Sequence, residues 1–317
     1  MVRWFSFLLV AACARPVAPE ARPTPGAEGS CGTCHADEVA DWEGSMHHAS
    51  FTSEDFQRSY RAEPRAYCVD CHAPVRMPSG ARDLGAGIGC TTCHAVADEH
   101  LTRATGVRAR AATKPCAGCH DFDAPGTAAV LQSTAREHAM SRFASVPCAS
   151  CHMPERVGGH RDHRFLVSRD PAFLARAIRI EGARIEGSEV VVRVASRGVG
   201  HRFPTGDIYR RLTVTLTAYD TDDALVAGET AHFHRDWDAH RAALSSRRPE
   251  TLEDLRLENA PREVRAPFAR APARVHVTVD YARGAGGDGE HFEAFETLPI
   301  FDADVALEER SPRDNAR

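Results

Sequence analysis

Five copies of one short pattern constrain this 317-residue chain more than anything else in it. They are "CGTCH" at 31–35, "CVDCH" at 68–72, "CTTCH" at 90–94, "CAGCH" at 116–120 and "CASCH" at 148–152. Each is C-x-x-C-H, the attachment signature of a c-type haem. Two thiols, three positions apart, add to the two vinyl groups of one porphyrin. The adjacent histidine is held against the iron as its proximal ligand. The thioether cysteines are then Cys31, Cys34, Cys68, Cys71, Cys90, Cys93, Cys116, Cys119, Cys148 and Cys151. The proximal ligands are His35, His72, His94, His120 and His152. A zinc ribbon needs no histidine after every second cysteine. A redox C-x-x-C is expected once, near a βαβ pattern. Disulfides would not produce five repeats of the same pentapeptide. The cofactor expectation is five covalently bound haem c groups.

The motifs begin 22–37 positions apart, which leaves little chain for a conventional core. Porphyrins must supply much of the buried apolar surface, so short helices and loops around stacked haems are expected over 30–170. The stretch 37–50, "DEVADWEGSMHHAS", reads as one helix, with Asp37 and Glu38 near its positive end.

Five irons need five more ligands if all are six-coordinate, and twelve histidines lie outside the motifs. Those closest to the haem motifs are His47 and His48, His100, His138, and His160 and His163. Merging adjacent pairs leaves four sites, so a fifth ligand must come from elsewhere or one iron stays open. Met46, Met77 and Met140 could ligate but read as packing residues.

One cysteine is left over. Cys13 ends "MVRWFSFLLVAAC", an apolar run behind Arg3 that is far short of the about 20 residues a membrane span needs. Residues 1–13 read as an export signal, and "VAAC" resembles a bacterial lipobox, which implies lipidation at Cys13. Ala14 after it implies outer-membrane sorting in such lipoproteins. Residues 14–29, "ARPVAPEARPTPGAEG", form an extended Pro/Ala-rich tether. The expected location is exported and lipid-anchored, on the periplasmic or cell-surface side. A net charge of -5 argues against nucleic acid as a partner.

Beyond about 171 the cysteines stop and period-two alternation begins. The strands read from sequence are 175–182, "EVVVRVAS" (189–196), "LTVTLTAY" (212–219), 223–233, "RVHVTVDY" (274–281) and 291–301. They predict an antiparallel, immunoglobulin-like sandwich over 171–305. Residues 234–262 read as a polar loop or short helix, and the chain end, a tail from 306, as frayed from about 302. In "RVHVTVDY", His276 is expected on the solvent side. "GHRFPTG" (200–206) falls in a connection between strands, and a loop at a sandwich end can reach a neighbouring domain.

The chain resembles the multihaem cytochromes c of the cytochrome c-554/c-prime type. "CGTCHADEVADWEGSMHHAS" is similar to that group's opening, a haem motif followed by W-x-x-S-x-H. The resemblance implies His47 as a distal ligand, with His48 second. "GCTTCHAVADEH" resembles its motif with a histidine six positions on, here His100, although Ala95 and Ala97 stand where glycines are usual. "CASCHMP" with "DHRF" resembles the closing haem and its trailing histidine, His163. Multihaem cytochromes with a β-domain often carry a string similar to "GHRFPTG", which makes His201 the best fifth distal ligand, alongside His138. The resemblance implies a membrane-tethered electron carrier through bis-histidine haems, with cytochromes or quinol or reductase complexes as partners. The alternative is a multihaem reductase or dehydrogenase of a small nitrogen or sulfur compound with one open haem. No motif carries the lysine found at the active haem of pentahaem nitrite reductases, which favours the carrier.

Overall fold

The computed structural model describes residues 31–62, 64–77, 79–94, 114–123, 130–167, 169–237, 251–285 and 292–308. Cys13, the signal and tether segments, and His100 lie outside the described residues.

The haem-motif half is built from short helices: α1 (Ala36–Glu43), α2 (Glu54–Ala62), α3 (Ala66–His72), α4 (Cys90–His94), α5 (Lys114–His120), α6 (Thr134–Met140) and α7 (Cys148–His152). A two-stranded ribbon, β1 (Asp121–Asp123) with β2 (Val130–Ser133), joins α5 to α6. Four of the five motifs end a helix at their histidine, and the first makes the same turn, with His35 N–H donating to Cys31 O at 2.9 Å. One helical turn is what the chemistry needs: positions i, i+3 and i+4 share a face, so both thiols and the imidazole point to one side.

The single helix expected over 37–50 is broken. α1 stops before Gly44, and a 3-10 turn occupies His48–Ser50. Ser45 causes the break: its Oγ accepts the His48 N–H at 3.2 Å and starts a new turn.

Among the described residues from 31 to 167, the buried apolar side chains are Trp42, Ala73, Val75 and Ala86. So small a set cannot hold several helices together by side-chain burial alone. An apolar prosthetic core is consistent with this half of the chain.

The rest is a β-sandwich preceded by helix α8 (Pro171–Ala175), which Asp170 caps by accepting the Phe173 N–H at 2.9 Å. One sheet contains β10 (Glu293–Val305), β9 (Arg274–Ala285), β5 (Arg210–Tyr219), β6 (Leu225–Trp237) and β7 (Thr251–Asp254), in that order. The other contains β11 (Leu307–Glu308), β3 (Ile178–Glu186), β4 (Glu189–Ser196) and β8 (Arg262–Pro267). Every pairing is antiparallel except β11 with β3. The register places Leu212 against Tyr281, Val214 against Val279, Leu216 against Val277 and Ala218 against Val275. All eight are buried. Each of the larger side chains contributes about 1.5–3 kcal/mol on burial, so this half carries a conventional core. His276 takes the opposite face, partly exposed, its ring between Asp302 and Asp304.

Two expectations from sequence are corrected. The described parts of 234–262 are not all loop or helix: β6 continues to Trp237, β7 occupies Thr251–Asp254, and Leu257 is fully buried and bridged to Phe203, while 238–250 lie outside the described residues. Polar composition misled because Arg235 and Arg256 are themselves buried, made tolerable by carboxylate and carbonyl partners. Residues 302–308 are not frayed either, because β10 runs to Val305 and β11 closes an edge of the second sheet, and 309–317 lie outside the described residues.

Candidate functional site

The second, third and fifth motifs are gathered around the fourth. Cys71 of the second motif hydrogen-bonds Cys119, and Cys116 hydrogen-bonds Cys148 of the fifth. Cys93 of the third is close enough to perturb both Cys116 and Cys119.

Three pairs of histidine rings face one another. His47 and His120 have ring centroids 6.4 Å apart, His94 and His163 6.2 Å, and His152 and His201 6.3 Å. Each pair joins one motif histidine to one histidine from outside the motifs. An imidazole nitrogen binds a metal at about 2 Å and lies about 1.1 Å from its ring centre, so two imidazoles on opposite sides of one iron are separated by roughly 6.3 Å. The donor chemistry and spacing therefore fit a six-coordinate haem iron at each pair.

The rings are prepared for that role. His201 Nδ1–H donates to Arg202 O at 3.0 Å and His163 Nδ1–H to Arg161 O at 2.8 Å. A carbonyl can only accept, so Nδ1 carries the proton and Nε2 keeps its lone pair for a metal. His72 is set the same way by Ser50 O at 2.8 Å. Burial, aided by neighbouring imidazoles, pushes His47 and His152 down to about 4, and it also lowers His94 and His120. Such rings are neutral near pH 7, the form a metal requires. His152 Nδ1 is buried with no protein acceptor.

Local packing explains why His47 and not His48 faces a motif histidine. His48 Nδ1–H donates to Glu43 O at 2.9 Å, and its ring lies against Trp42 at 4.3 Å. Trp42 Nε1–H is fixed to Ile88 O at 2.9 Å, and Ile88 N–H donates to His47 O at 2.9 Å. The 85–89 loop comes this close only because Gly87 has no side chain: at φ +55° a Cβ would stand 2.2 Å from His48 O and 2.5 Å from His47 O. On the other side, the Phe165 ring meets the His47 ring at 4.1 Å and the His163 ring at 6.0 Å. His163 N–H donates to Asp41 Oδ2 at 3.1 Å, and Arg156 grips the same carboxylate at 2.9 Å, which ties α1 to the loop after α7.

The other expected sites stand differently. His35 is exposed, with Nδ1 3.9 Å from Glu38, and Glu38 also binds His160 Nδ1 at 2.5 Å. The ring of His72 stacks on Phe56 at 3.9 Å. Among the described residues neither His35 nor His72 has a facing histidine. His138 is buried on α6 against Gly200, where a Cβ would come within 2.7 Å of its Cδ2. No motif histidine among the described residues pairs with it. Gly87, Phe165 and Asp41 were not legible as site residues, because their roles depend on contacts across 39 or more positions with no spacing rule to reveal them.

A family model described as cytochrome c554 and c-prime matches residues 30–95. No curated protein matches the chain. Among solved structures, a penta-heme cytochrome c552 from Thermochromatium tepidum superposes with a TM-score of 0.66 at 20% identity, covering 89% of this chain and 98% of that one.

Proposed function

We propose that this chain, a multihaem c-type cytochrome in fold with a C-terminal β-sandwich, carries electrons through five haem c groups held mainly by paired histidines. The observation that carries the reading is the set of three imidazole pairs at 6.2–6.4 Å. Thioether attachment falls to the ten motif cysteines named above, and proximal ligation to His35, His72, His94, His120 and His152. His47 together with His120, His163 with His94 and His201 with His152 would each hold one haem iron. When bound, haem c supplies a one-electron iron couple, of lower potential with two imidazoles than with imidazole and methionine.

The chain's own contribution is to orient and exclude. Backbone carbonyls hold the His201, His163 and His72 imidazoles in one tautomer, and at the three facing pairs a second imidazole would deny substrate an open position. Clustering of the motifs around 116–120 favours electron passage between neighbouring groups. Cytochromes or quinol or reductase complexes are the partners we propose, with a lipid on Cys13 tethering the exported protein to the outer membrane. Among the described residues no helix is long and apolar enough to cross a membrane.

A second reading, a reductase with one open haem, rests on His35 and His72, which have no facing histidine among the described residues. Electron paramagnetic resonance of the oxidised protein tests both readings. Only low-spin signals are expected of a pure carrier. A high-spin signal perturbed by nitrite or hydroxylamine would establish the second reading instead. A pyridine haemochrome assay that gives other than five haems per chain would overturn the cofactor count.

A further inference from the structure

His201 comes from the β-sandwich half, while His152 belongs to the motif half. Something must hold the connection between β4 and β5 in place across that boundary, and one buried carboxylate is positioned to do so. Glu137, on α6, is 10% exposed at its side chain. Its Oε1 accepts Ser133 Oγ–H at 2.5 Å and Arg256 Nη2–H at 2.6 Å. Its Oε2 accepts the backbone N–H of Arg202 at 3.0 Å. The carbonyl of that same residue accepts the His201 Nδ1–H. The residue that orients the ligand ring is thus itself gripped by Glu137.

Arg256 is the second half of the device. Its side chain is 4% exposed and is fixed by Asp254 through Nε at 2.8 Å and Nη2 at 2.7 Å. Arg202 reaches the same Asp254 carboxylate at 2.5 Å. Leu257 and Phe203 exchange backbone hydrogen bonds at 2.7 and 2.9 Å. The β7–β8 connection therefore holds the far side of the 200–206 loop while Glu137 holds the near side. A cluster that merely glued two domains would not need a buried carboxylate on the peptide next to the ligand. Burying charge is costly, and neutral contacts such as Thr134 Oγ1 with Thr205 Oγ1 at 2.7 Å already join the halves.

We propose that Glu137, backed by Arg256 and Asp254, is the positioning residue that keeps His201 on the iron of the 148–152 haem. The inference rests on the ligand role of His201 given above. Docking of the β-sandwich thereby controls whether that iron is closed.

The test compares four variants of the full haem-loaded chain by electron paramagnetic resonance and potentiometry: His201→Ala, Glu137→Ala, Glu137→Gln and Thr134→Val. The expected result is that His201→Ala and Glu137→Ala each convert one haem in five from low to high spin, and that added imidazole restores low spin. Glu137→Gln, which can satisfy only part of the donor set, should shift the potential of the same haem. Thr134→Val should remain wholly low-spin. If Glu137→Ala does not assemble five haems, the unshifted or shifted potential of Glu137→Gln decides the matter. A high-spin His201→Ala beside wholly native Glu137 variants overturns the positioning role and leaves the ligand role standing. A His201→Ala that stays native overturns the ligand role and the inference with it. If Thr134→Val behaves like Glu137→Ala, general loosening of the interface replaces the proposal.

Discussion

His152 and His201 stand ring to ring, 6.3 Å apart and within 13° of parallel, although one ends a haem-motif helix and the other lies in a loop of the β-sandwich. In the function we propose, their pairing makes the sandwich part of the metal chemistry. In His201→Ala the iron of the last motif should lose its sixth ligand, and a high-spin component near one haem in five should appear. Spectra identical to wild type would mean that another group serves that iron.

The His47/His48 pair makes a prediction of the opposite kind from two adjacent residues. His47→Ala should open the iron served by His120, not the one served by the nearer His35, because the ring faces His120. His48→Ala should leave every haem low-spin, since that ring is spent on Glu43 O and Trp42. Near-infrared magnetic circular dichroism of the two variants distinguishes the outcomes.

Gly87→Ala forces a Cβ into two backbone carbonyls at a φ that side chains avoid. A cost of roughly 1–3 kcal/mol in stability is expected, together with a disturbed His47 haem. Thermal unfolding followed by circular dichroism and by the Soret band checks both. An unchanged midpoint would show that the loop relaxes freely.

Leu216→Ala removes a fully buried side chain from the sandwich core and should cost about 2–5 kcal/mol. Below the unfolding transition the haem spectrum should remain that of wild type, because Leu216 pairs with Val277 and not with a site residue. Denaturant titration gives the first quantity and an absorbance spectrum the second.

Asp254 supplies a pH dependence. Burial alone would raise its carboxyl, but Arg256 and Arg202 outweigh that and hold it below the ordinary 3.8. A depressed folded value means the contribution is fully present above the unfolded value and is lost as pH falls below about 4. The stability difference between wild type and Asp254→Asn should be largest at neutral pH and shrink on acidification. A difference that stays constant down to pH 3 would contradict it.

Legibility from sequence followed the range of the interactions. C-x-x-C-H lies within one helical turn, so its chemistry is complete in five consecutive residues. Alternation in "LTVTLTAY" and "RVHVTVDY" reports a two-residue period, and those strands formed with Val275, Val277, Val279 and Tyr281 buried. The 234–262 stretch failed because Arg235 and Arg256 look like surface residues until Glu137 and Asp254 are brought beside them.

The amino-acid sequence alone thus determined the cofactor chemistry, the number of attachment motifs and the division into a haem-rich half and a β half, because each is encoded locally. Tertiary structure decided which histidine faces which: His47 with His120, His163 with His94, His201 with His152. An iron draws its two axial ligands from opposite directions, and the second comes from wherever the folded chain happens to pass. No spacing within a single segment can encode that.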